Sequence, residues 1–194
     1  MGYVRYYEFP NVSQKCQIVL AWLGLILFSW NGVGFAALSQ AQVQEYEVKA
    51  MFLFYFSKFI DYPESILNSQ TPALQICIFG EDPFGNSIDI AVQGKEAHGH
   101  PIEIKRLNNI NMAKSCHILF VSPSERNALP QVFSYTRQYP ILTVSDIEGF
   151  IESGGMIQFY IADNKVRFMI DLKKIQGVNL KVSSRLLQVA QVIN

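Results

Sequence analysis

At 194 residues the chain has room for one domain and an appendage, and two full domains would be tight. Apolar residues make up 49% and charged residues 16%, which excludes a disordered chain and allows a sizeable core. Sixteen basic residues balance sixteen acidic ones, and without a lysine- or arginine-rich run the electrostatic footprint of a nucleic-acid binder is missing.

Residues 1–41 read differently from the rest. Arg5 and Lys15 precede an uncharged stretch whose densest apolar part is Ile18–Phe28, and Ser39-Gln40-Ala41 supplies small residues where a signal peptidase needs them. A signal peptide over 1–41 is therefore expected. The alternative is an uncleaved anchor, because the uncharged span is long enough to cross a bilayer, which takes ~20 residues. Cys16 precedes the apolar run, so it does not sit where a lipoprotein cysteine should. Either way residues 42–194 form an exported domain.

Within that domain, Tyr46–Asp61 is expected to be a helix stopped by Pro63. Phe52, Tyr55, Phe56 and Phe59 form one stripe, and Met51, Phe54 and Ile60 widen it past one face. A helix central to its own core would look like this, as would one keeping a contact surface. On the second reading Met51, Phe54 and Tyr55 are the partner-binding residues.

Leu74–Phe79 is a buried strand by its apolar run, followed by a helix with Asp82 as cap and Pro83 at its first position. Glu96–Pro101 reads as a turn, and Ile102–Arg106 as a strand. His117–Ser122 and Ile141–Ser145 are further buried strands, separated by a helix over 125–138 capped by Ser124. A short helix Ile147–Ser153 follows, then a hairpin of Met156–Ala162 and Val166–Leu172 around Asp163-Asn164-Lys165. A last helix begins at Ser183 or Ser184, with Leu186, Leu187, Ala190 and Ile193 on its apolar face. This order predicts an α/β fold: a mostly parallel sheet with helices on both faces, then a C-terminal β-hairpin plus helix.

Only Cys77 and Cys116 remain after residue 41. An even pair in an oxidising compartment favours a disulfide, two buried free thiols being the alternative. A strand order of 2-1-3-4 would set the first and third strands side by side, within reach of such a bond.

Candidate chemistry is sparse. Gly80-Glu81-Asp82-Pro83-Phe84-Gly85 lacks the second glycine of a dinucleotide loop and the lysine of a P-loop, and its carboxylates would repel phosphate. His98 and His100 have no evident third metal ligand, and His117 points away from Cys116 if both lie on a strand. There is no G-x-S-x-G and no H-E-x-x-H. No catalytic residue, metal or cofactor is therefore assigned. Glu81, Asp82, Ser122, Ser124, Ser145 and Asp146 do fall in loops after strands, where α/β sheets bind ligands, although such residues are also ordinary helix caps.

The stretches VKAMFLFYFSKFIDYP (48–63), ICIFGEDPFG (76–85), CHILFVSPSE (116–125), ILTVSDIEGFIESGGMIQF (141–159), VRFMIDL (166–172) and LKVSSRLLQVAQV (180–192) resemble the YfiR family, in order and through nearly the whole domain. The most distinctive part is Gly154-Gly155-Met156-Ile157 followed by Arg167-Phe168. The resemblance implies a periplasmic brake without catalytic residues. It binds the periplasmic portion of an inner-membrane diguanylate cyclase, lowers cyclic-di-GMP, and is relieved by an outer-membrane partner or by redox damage. It also implies a disulfide at Cys77 and Cys116. A second family disulfide near the GGMI segment has no cysteines here, and Asp171 stands where many relatives have asparagine.

A non-enzymatic regulator acting through protein contacts, with a membrane signalling protein or a second copy of itself, is thus the leading expectation. The alternative is a small-molecule sensor using the crevice at the C-terminal edge of the sheet.

Overall fold

The computed structural model describes residues 33–193, with side chains from Gln40 on. Arg5, Lys15, Cys16 and the Ile18–Phe28 run of the expected signal segment lie outside the described residues. Among the described residues no helix is long and apolar enough to cross a membrane. The sheet belongs to a compact unit over Val43–Asn194.

Helix α1 (Val33–Phe59) ends two residues before the expected Asp61 and starts well before Tyr46. It leads into β1 (Ile60–Asp61). Then come β2 (Leu74–Phe79), α2 (Asn86–Val92), β3 (Glu96–Ala97) and β4 (His100–Leu107). A 3-10 helix (Ile110–Ser115) precedes β5 (Ile118–Val121), and a second (Pro123–Ala128) leads into α3 (Leu129–Thr136), with proline in its first turn. The chain closes with β6 (Leu142–Ser145), β7 (Ile157–Ala162), β8 (Lys165–Asp171), α4 (Leu172–Gly177), β9 (Lys181–Val182), α5 (Ser184–Leu187) and β10 (Gln191–Ile193).

Eight strands form one sheet in the order β10-β8-β7-β6-β5-β2-β4-β3, and β1 pairs with β9 in a small antiparallel sheet. The segment β4-β2-β5-β6 is parallel throughout and has the expected 2-1-3-4 order. The fold class is thus the α/β sheet that alternating strands and helices imply. β2, β5 and β6 are buried along almost their whole length because both faces are covered. On one face Ile76, Ile78, Ile118, Phe120, Leu142 and Val144 pack with Leu53 and Phe56 of α1. On the other, Cys77, Phe79, Leu119 and Val121 pack with Leu129 and Val132 of α3 and with Phe150. The hairpin β7–β8 turns on Asp163 and Asn164 with φ of 51° and 56°. Two consecutive positive φ values are what a two-residue primed turn requires, and short polar side chains tolerate them.

Several elements differ from expectation, among them the helix over 125–138, which is a 3-10 helix over Pro123–Ala128 and then α3, with Ser122 and not Ser124 at the cap position. Helix α2 starts at Asn86, because Asp82 Oδ1 accepts from the Phe84 N–H (2.8 Å) and makes a turn before the helix begins. Ile147–Ser153 is a succession of turns, with Gly149 at φ 77° and Gly154 at φ 125° breaking any helical run. The last helix stops at Leu187, and Gln191–Ile193 instead adds a parallel strand to the free edge of β8. An open row of backbone donors and acceptors at a sheet edge outcompetes a weakly amphipathic final turn.

Candidate functional site

The outer face of α1 carries the residues expected to meet a partner, and the structure separates them. Tyr55 is 43% exposed and Met51 half-buried, whereas Phe54 is only 8% exposed and sits in the core. Expecting accessible surface from Phe54 was thus wrong for a physical reason: it points to the sheet side, beneath Lys95 Nζ, which lies 4.4 Å from the ring centroid. Val48, four residues before Phe52, takes its place on the outer face. Val48, Met51 and Tyr55, at i, i+3 and i+7, make one exposed stripe. Met51 also lines a shallow groove with Glu47, Ser87 and Ile90, and Ile90 of α2 is 68% exposed.

At the C-terminal edge of the sheet most of the six crevice candidates are engaged internally. Ser145 Oγ donates to the Val121 carbonyl (2.7 Å) and accepts from the Ile147 N–H (3.0 Å). Ser124 Oγ accepts from the Glu81 N–H (3.0 Å) and donates to Glu125, and a side chain on Gly80 would collide with that hydroxyl. Asp82 Oδ2 accepts from Arg106 Nε (2.7 Å) while Arg106 also grips Asp89. These contacts, that to Asp89 first, hold the Arg106 guanidinium above its usual range. Ser122 is buried and precedes the 3-10 helix without a side-chain cap.

Asp146 is bonded across to α1. Its Oδ2 accepts from Tyr46 Oη (2.8 Å) and Lys49 Nζ (2.5 Å), and Lys49 also reaches Glu45 (2.5 Å). Lys49 is only 2% exposed. Burial, reinforced by Asp146, pushes the Tyr46 hydroxyl above its ordinary value, so it stays a donor. The cluster joins α1 to the loop after β6. Tyr46 and Lys49 were missed as members of it, although a lysine inside the run VKAMFLF was a visible signal.

Cys77 and Cys116 form a disulfide, with Cα atoms 5.8 Å apart, as adjacent β2 and β5 permit. The three histidines gather near the opposite edge without converging on a metal. Among the described residues no group of three His, Cys, Asp or Glu is placed to hold one. His100 Nδ1 lies 2.9 Å from the Thr71 carbonyl. His117 packs edge-to-face on Tyr62 (5.4 Å) and accepts the Gln75 N–H at Nδ1 (3.0 Å). Burial lowers its pKa to about 4, so it is neutral near pH 7.

Asp171, the departure from the resemblance, caps α4 by accepting from the Lys174 N–H (3.0 Å) and pairs with Lys174 Nζ (2.8 Å). Burial alone would raise its pKa, but these contacts outweigh it and leave the carboxyl below its usual range.

The YfiR/HmsC-like family model (DUF4154) matches residues 46–191, most of the chain, and the chain belongs to that family. No curated protein matches it. Among solved structures it is similar to a conserved domain protein from Vibrio cholerae O1 biovar El Tor, with 8% identity and a TM-score of 0.49. That match covers 68% of this chain and 57% of the other. A second is an ABC domain in complex with L-Trp from Streptococcus pneumonia, with 13% identity and a TM-score of 0.47, covering 67% and 58%. The chain thus spans under three-fifths of each of these structures, and neither similarity bears on function.

Proposed function

We propose that this member of the YfiR/HmsC-like family is an exported, non-catalytic regulator that binds the periplasmic portion of a membrane diguanylate cyclase and lowers cyclic-di-GMP. The observation that carries the reading is the stripe Val48–Met51–Tyr55, flanked by Ile90 of α2, left uncovered after α1 has built its side of the core. Contiguous exposed apolar surface of this kind marks interaction sites, and tyrosine is favoured at their centres. Glu47 and Lys58 border the stripe and supply a polar rim.

Export rests on the Arg5-to-Ala41 pattern, with cleavage leaving Gln42 as first residue, and the disulfide suits an oxidising compartment. An outer-membrane partner that relieves the brake belongs to the same reading. The sensor alternative is the weaker one, because Asp82, Ser124, Ser145 and Asp146 are bonded within the protein and Ser122 is buried. Photocrosslinking from position 55 in intact cells tests the proposal. A covalent adduct with a membrane cyclase supports it, an adduct with a second copy makes the stripe a homodimer surface instead, and the absence of both adducts refutes the contact reading.

A further inference from the structure

A cleft of about 600 Å³ opens between α3, α4 and the Gly154–Met156 loop, away from α1 and from every crevice candidate. That volume falls within the ~300–1,000 Å³ of small-molecule sites. The loop is the GGMI segment, and its two glycines are what shape the wall. Gly154 holds φ 125°, and a Cβ there would stand 3.0 Å from the Phe133 ring. A Cβ on Gly155 would run into Phe150, and Phe133 and Phe150 pack together at 5.3 Å. The aromatic floor and the glycine wall are thus fixed against each other before any ligand arrives.

The lining carries two cations, Arg137 and Lys174, and no carboxylate. Lys174 is spoken for: its ammonium pairs with Asp171 (2.8 Å) and donates to the Ile151 carbonyl (2.5 Å). Arg137, exposed at the end of α3, makes no side-chain hydrogen bond or ion pair among the described residues. One turn before it, Ser134 adds a hydroxyl to the same helix face. The site therefore offers one net positive charge in a fork suited to two oxygens, above an apolar bed of Phe133, Met156 and Val178.

We propose that this cleft binds a small organic monocarboxylate with an apolar body, its carboxylate on Arg137 and its body on the GGMI wall. The site does not rest on the regulator reading, since it shares no residue with the α1 stripe. The test is a titration of the purified protein with 3-phenylpropanoate and octanoate, followed by backbone amide NMR, against 3-phenylpropanamide and inorganic phosphate. Saturable shifts at Gly154, Gly155 and Met156 with the carboxylates are expected, at least tenfold weaker in Arg137→Gln and partly retained in Arg137→Lys. Arg137 is exposed, so an unchanged melting temperature in both variants keeps the comparison valid. Equal binding of the amide, tighter binding of phosphate, carboxylate binding indifferent to Arg137→Gln, or no saturable shift with either carboxylate overturns the proposal.

Discussion

Lys49 and Asp146 stand 97 residues apart in sequence and meet at 2.5 Å, so an ion pair fixes α1 to the loop that follows β6. Lys49 is almost fully buried, and removing one member of such a pair leaves an uncompensated charge, which costs ~3–5 kcal/mol. Asp146→Ala should therefore destabilise by about 3 kcal/mol, the low end, because Glu45 still reaches Lys49. Replacing both residues, Lys49→Met with Asp146→Leu, should cost less than the single change. Urea unfolding of the three variants checks this, and a double variant worse than the single one would mean the pair contributes net stability.

The Cys77–Cys116 bond closes a loop of 39 residues between adjacent strands. In the chain-entropy model such a crosslink is worth about 4 kcal/mol, a large share of a typical ~5–15 kcal/mol stability. Cys77→Ala with Cys116→Ala should lower the unfolding free energy by about 4 kcal/mol, and a reductant should have the same effect on the native protein only. Non-reducing peptide mapping verifies the linkage.

The sheet order, both faces of the core and the disulfide were legible because short, largely apolar runs such as ILFV and LQICIF, bounded by turn signals, fit buried strands in a covered parallel sheet. The departures share a cause, which is competition from partners distant in sequence. Phe54 lies on the helix flank that Lys95 covers, and no pattern within α1 reveals that. Ile193 satisfies helical spacing and a sheet edge equally, and only the presence of an open β8 decides between them. At the site, serine and aspartate after strands looked alike as caps or ligand groups. Asp146 stood apart only once Tyr46 and Lys49 were folded against it.

His117 makes acid stability measurable. Its pKa falls from an ordinary 6.5 to about 4, chiefly through burial, with the neighbouring His100 also disfavouring the charged form. A histidine depressed in the folded state costs nothing above pH 6.5, where both states are neutral. As pH falls from 6.5 to about 4 the unfolded chain takes up the proton first, and stability drops by up to about 3 kcal/mol. Unfolding free energy measured from pH 7.5 to 4 should show this loss in the native protein, and His117→Gln should flatten the difference across that window. A difference that stays constant with pH would show that His117 titrates normally.

Phe54 and Tyr55 are neighbours in sequence that the fold assigns opposite duties, and the pair separates core from contact surface. Phe54→Ala removes a ring packed against the sheet side of α1 and should cost ~3–5 kcal/mol, with signalling lost only as far as the fold is lost. Tyr55 is 43% exposed, and among the described residues its ring meets only rings of α1 itself, stacked on Phe59 (6.2 Å) and tilted against Phe54 (5.4 Å). Tyr55→Ala should therefore change stability by no more than about 1 kcal/mol, the range of an exposed substitution that gives up two ring contacts. If the stripe is where the brake grips its cyclase, the same change raises cyclic-di-GMP in cells at undiminished protein level. Val48→Asp, which puts a charge into the stripe without touching the core, should act in the same direction and further. Intact stability with unaltered cyclic-di-GMP in both variants would remove the α1 stripe from the mechanism, because an interface centre that tolerates a carboxylate is not one.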